Sequence, residues 1–162
     1  MEALVTRSAI ALALAASLAV ACSPPGADGG DGPPLATIKA ESALKLVMPG
    51  SRVIGPLEQD RENTIEGPVA ALAGAEFETT ADQTAVFAYY EDQLAALGWT
   101  PTRAPLLSTI DAAGRGWCKP RMNFRVTVFD PKPAALRGII VAAGTIRYQA
   151  LIVGGDEACP GP

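Results

Sequence analysis

The chain has 162 residues, 17 acidic against 13 basic side chains, a formal net charge of −4 and no histidine. A length of this order supports one modest core rather than several domains. Lack of His rules out Ser-His-Asp and Cys-His catalysis and removes the commonest zinc ligand, and the net negative charge argues against a nucleic-acid partner.

Residues 1–21 read as a secretory signal, with Arg7 in a short polar start and an apolar run from Ala9 to Ala21. As a helix that run would reach about 20 Å, short of the roughly 30 Å hydrocarbon core, so a permanent membrane span is not expected. It ends Leu18-Ala19-Val20-Ala21-Cys22, with small residues where a peptidase must bind an extended segment. This stretch resembles the lipobox of bacterial lipoproteins. The resemblance implies cleavage before Cys22, a diacylglycerol thioether on its sulfur and an acyl chain on the new amino group. Two or three such chains anchor stably where one is marginal. The expected location is therefore the bacterial cell envelope, with the membrane as partner through Cys22 and the domain facing periplasm or exterior. Ser23 implies outer-membrane sorting where an outer membrane exists.

Residues 22–34 comprise the lipidated cysteine and the sequence SPPGADGGDGPP. With no large apolar side chain, this segment cannot offset its ordering entropy, and it is expected as a disordered tether with a reach of about 20 Å. Asp28 and Asp31 lack the spacing of a calcium loop, so no metal is assigned. Residues 35–162 are expected to form a single domain.

Within that domain, 44–47 and 52–54 flank Pro49-Gly50 and predict a small hairpin. Residues 56–74 read as loop, and 75–79 alternates as a strand. Thr80-Ala81-Asp82-Gln83 opens a helix as a capping box, with Thr80 as the cap. Val86, Phe87, Tyr90, Leu94 and Leu97 fall within an arc of about 100°. Gly98 supplies a left-handed terminus on which Trp99 folds back toward Leu94. Strands are expected at 99–103, 124–128, 138–143 and 145–153, the last two separated by a bend at Gly144, while 104–121 reads as loop. The expected fold is α+β: one main amphipathic helix packed on a mostly antiparallel sheet. The series Val86-Phe87-Ala88-Tyr89-Tyr90, Leu94 and Leu97-Gly98-Trp99, downstream of Pro49-Gly50, resembles a pattern in small uncharacterised bacterial envelope lipoproteins. That likeness implies fold and envelope location, and no activity.

Once Cys22 carries lipid, Cys118 and Cys159 form an even pair in an oxidising compartment, expected as a disulfide that pins the carboxyl end. Charge divides along the mature chain: twelve acids and four bases from Cys22 to Gly98, eight bases and four acids from Trp99 onward. The plain reading is acidic and basic elements side by side; the sharper one is an anion patch of Arg115, Lys119, Arg121 and Arg125. Glu58, Asp60, Glu62 and Glu66 form an acidic run, read as solvated loop rather than a glycosidase pair. Ser42, Ser51 and Ser108 lie in no nucleophile elbow. With no catalytic constellation, no cofactor is assigned. The expected function is a non-catalytic, lipid-anchored binding or structural accessory module with an envelope protein or cell-wall partner. The alternative is a carrier of a small hydrophobic ligand, held between helix and sheet by Phe77, Phe87, Tyr90 and Trp99.

Overall fold

A computed structural model describes residues 32–102, 108–109, 112–129 and 141–155. Its main body is a seven-stranded sheet of β1 (Arg52–Gln59), β4 (Leu72–Thr79), β5 (Thr100–Pro101), β6 (Ser108–Thr109), β7 (Ala112–Lys119), β8 (Met122–Phe129) and β9 (Ile146–Gly154). The order runs β1-β4-β9-β8-β7-β5, with β6 also on β7, and every described pairing is antiparallel. A separate hairpin pairs β2 (Glu62–Thr64) with β3 (Gly67–Val69). Two helices are described, α1 (Leu35–Lys39) and the main helix α2 (Gln83–Ala96). The architecture is thus α+β, as the sequence predicts at that level.

Strand alternation sorts the sheet into two faces. Phe77, Phe124, Val126, Tyr148 and Ile152 point to one face and are buried there with Val86, Phe87, Tyr90 and Leu94 of α2. Phe124 is the hub: its ring centroid lies 5.7 Å from Tyr90, 5.8 Å from Trp99 and 6.4 Å from Trp117. Tyr148 stacks on Phe77 at 5.0 Å and meets Tyr90 edge-on at 6.1 Å. Burial pushes the Tyr90 phenol above the usual range, which keeps it a neutral donor, and it donates to the Leu46 carbonyl at 3.3 Å.

The end of α2 follows the expected Schellman pattern: Gly98 has φ +79°, its amide donates to Ala95 and the Trp99 amide to Leu94. The start differs. Asp82, not Thr80, is the cap, its carboxylate accepting from the Ala85 amide at 2.8 Å. β4 continues through Thr79, whose hydroxyl takes the Ala81 amide, so the chain leaves the strand too late for Thr80 to cap. A carboxylate there also meets the positive end of the helix dipole.

Other expectations are corrected. No hairpin forms across Pro49-Gly50: 42–45 is a 3-10 turn, and β1 pairs with β4 instead. Most of the expected loop 56–74 is strand, and β7 occupies 112–119 of the expected loop 104–121. Pro56 hid β1, because proline is excluded from central strands but tolerated at an edge; Gly114 and Gly116 broke the apolar alternation of β7. Residues 141–145 form a turn closed by the Thr145 amide on Ala142, while 138–140 lie outside the described residues. α1 opens at Leu35, in a stretch to which the sequence reading assigns no element, and Gly32, expected near the end of the tether, is buried against Gly154 and Gly155.

At Gly74 the backbones of β4 and β9 come so close that a Cβ would overlap the Ala150 carbonyl oxygen and Leu151. Gly74→Ala is therefore expected to destabilise by about 2–3 kcal/mol through overpacking. Asp82→Ala should cost about 1 kcal/mol and Thr80→Ala less than about 0.5 kcal/mol. Urea unfolding midpoints of the three variants check the order, and a larger loss from Thr80→Ala than from Asp82→Ala would contradict the cap assignment.

Candidate functional site

The strands deliver a group of polar side chains to one end of the sheet. Arg52 opens β1 and sits opposite Glu78 near the end of β4. Glu78 alternates with Phe77, so it points to the face away from α2. Thr145 immediately precedes β9, the other neighbour of β4. The three side chains converge: Glu78 accepts from Arg52 through a short ion pair, from the Thr145 hydroxyl at 2.7 Å and from the Ala142 amide at 3.3 Å. Above them lies a cleft of about 370 Å³, completed by Gly50, Thr79 and Thr80.

Glu78 is only 9% exposed. Burial alone would raise its pKa, but the Thr145 hydroxyl first, then the Arg52 guanidinium, hold it below the ordinary 4.5, aided by the Ala142 amide. The site therefore holds an ionised carboxylate beneath an exposed guanidinium. Next to it Arg147, opposite Glu78 on β9, turns to Glu76 at 3.2 Å.

The four aromatic residues assigned to a ligand pocket all belong to the packed core: Phe77, Phe87, Tyr90 and Trp99 are each at most 5% exposed, and Phe77, Tyr90 and Trp99 each contact another ring. The four cationic residues do not share a face. Arg115 pairs with Glu91 at 2.9 Å and lies over the Phe87 ring, and Lys119 pairs with Glu41 at 3.1 Å and lies over Trp99. Arg125, opposite Gly116, points to the other face, and Arg121 occupies the β7–β8 turn with φ +64°. Glu91–Arg115, Glu41–Lys119 and Glu76–Arg147 are ion pairs that join the acidic and basic halves of the chain.

The acidic run is dispersed. Glu58 pairs with Lys39 at 2.9 Å, Asp60 accepts the Arg61 amide, and Glu62 and Glu66 sit on the β2–β3 hairpin. Among the described residues no group of three or more His, Cys, Asp or Glu is placed to hold a metal. Ser42 begins the 3-10 turn and Ser51 accepts the Tyr148 hydroxyl at 2.9 Å; Ser108 lies in β6. Cys118 is buried in β7, whereas Cys22, Cys159 and the rest of the leader lie outside the described residues. No described helix is long and apolar enough to cross a membrane. No family model, curated protein or solved structure matches this chain.

The Arg52–Glu78–Thr145 group was not singled out from the sequence. Glu78 reads there as the solvent side of an alternating strand, and its partners lie 26 and 67 residues away. Only strand register brings them together.

Because the folded carboxyl of Glu78 is depressed, its stabilising contribution is present above the unfolded-state value and is lost as pH falls below about 4.5 through the folded value. Glu78→Gln is expected to be less stable than the parent at neutral pH and to show a shallower loss of stability on acidification. Thr145→Val should move the Glu78 titration upward, read from its carboxyl carbon by NMR. An unchanged Glu78 titration in Thr145→Val would contradict the assigned cause.

Proposed function

We propose that this chain is a lipid-anchored protein of a bacterial cell envelope, whose domain is a non-catalytic binding or structural module. The anchoring half rests on Leu18-Ala19-Val20-Ala21-Cys22 followed by a Gly/Pro-rich segment. In this reading the signal is removed, Cys22 becomes the acylated first residue, and residues up to about Gly32 leash the domain to the bilayer. The membrane is then a partner through lipid, with a second envelope component as the ligand of the domain.

The module half is carried by one observation: the helix–sheet interface is filled by its own rings. A carrier of small hydrophobic molecules needs a hollow there, and the centroid distances of 5.0–6.4 Å between Phe77, Tyr148, Tyr90, Phe124, Trp99 and Trp117 are those of packed neighbours. Charged groups that could serve acid–base chemistry, such as Glu58, Glu91 and Glu41, are held in ion pairs with Lys39, Arg115 and Lys119. Cys118 and Cys159 close a disulfide in this reading, as an exported chain with an even pair would.

Cys22→Ala is expected to shift the protein from the membrane to the soluble fraction. Retention of the variant on salt-washed membranes would defeat the anchor. Intact mass of the extracted protein reads acylation and pairing together: an acylated Cys22 terminus, and a gain of two thiols on reduction. Crosslinking in intact cells should recover one envelope component repeatedly.

A further inference from the structure

We propose that the cleft over Arg52 and Glu78 binds the carboxylate of a small molecule or of a chain terminus, through the outward N–H groups of Arg52. The inference rests on reading the domain as a binding module and names the chemistry that module recognises.

The first argument is the cost of Glu78. A carboxylate at this depth must be desolvated, and a well-packed apolar pair would serve stability as well or better. The arrangement does supply a fixed guanidinium. Glu78 holds one end of Arg52, is itself fixed by Thr145 and Ala142, and leaves the Arg52 side chain 71% exposed. Arginine has five N–H donors in a rigid fork, and one bond to Glu78 leaves donors on its outer side. Because the head is already held, a ligand carboxylate need not bear the full entropy of ordering it.

Space and charge complete the case. Gly50 contributes no side chain to the rim, and the volume of about 370 Å³ falls at the lower end of the range for small-molecule sites, roughly 300–1,000 Å³. Thr79 and Thr80 line the cleft with Arg52 and Glu78. The Arg52 fork suits carboxylate and phosphate alike, but Glu78 beneath it repels a dianion about twice as strongly as a monoanion at the same distance, which favours a carboxylate over a phosphate dianion.

The test is amide NMR on the purified full-length chain, titrated with acetate, N-acetyl-dialanine, its C-terminal amide, and inorganic phosphate. Saturable shifts at Thr79, Thr80 and Ala142 are expected with both carboxylates and not with the amide. Equal affinities identify a free small acid, and about tenfold tighter binding of the peptide acid identifies a chain terminus. Arg52→Gln should abolish the shifts. If it fails to fold, Arg52→Lys decides, since it keeps a charge partner for Glu78 but loses the fork, and it should bind about tenfold more weakly. Absence of saturable shifts with both acids, tighter binding of phosphate than acetate, or parent-like binding by Arg52→Lys would each overturn the proposal. Membrane partition of Cys22→Ala does not depend on this cleft, so the anchor and the site fail independently.

Discussion

The fold depends on α2 lying across the sheet with Tyr90 set into the rings of Phe124 and Tyr148. Four strands and one helix contribute to this cluster, and none of them can bury its apolar face without the others. A helix of 14 residues has little stability alone in water, so its order comes from this packing. The Schellman turn at Gly98 then carries the chain directly into Trp99 and β5, which returns to the same hub through the Trp99–Phe124 contact. Local geometry and long-range packing agree at that point.

The same rings organise the polar end of the molecule. Three tyrosines keep their bodies on the core and send their hydroxyls into one segment: Tyr89 donates to Val47, Tyr90 to Leu46 and Tyr148 to Ser51. Apolar burial and hydrogen bonding therefore act on the same side chains. Their effect is to hold 46–51 against the body as a connector, although no regular structure runs through it. Gly50 and Arg52 follow immediately, so the rim of the cleft is placed by residues of the core. A change in ring packing at Tyr148 would reach the Arg52 site through Ser51 without touching either charge.

This division explains what the sequence reveals. The helix was legible because its signals are local: five apolar positions on one arc, a polar cap and a glycine at its end. The strand at Phe124–Val128 was legible for the same reason, with alternation confined to five residues. β1 and β7 were not, because their identity depends on neighbours. Pro56 and Gly55 look like loop until β1 is seen at the edge of the sheet, and Gly114 and Gly116 look like loop until β8 runs beside them. The shift of the helix cap from Thr80 to Asp82 has a similar origin, since the length of β4 is set by its pairing with β1 and β9. The convergence of Arg52, Glu78 and Thr145 is wholly a property of register. The aromatic residues picked for a pocket all belong to the buried core, and periodicity cannot distinguish rings that line a hollow from rings that fill it.

The edge formed by β1 bears on how this domain can meet a partner. An exposed edge of eight residues is a template for strand addition, and β1 carries two features that oppose it. Pro56 removes a donor from the ladder, and the register shift between Val53 and Gly55 leaves Ile54 as an extra residue that bends the strand. Glu58, held by Lys39 from α1, adds charge along the same edge. A partner strand would have to pair across a bulge and a proline, which would weaken the backbone hydrogen bonds on which strand addition relies. In the proposed binding reading, recognition at this end of the sheet falls to side chains, among them Arg52 at the first position of β1, which buried Glu78 holds in place.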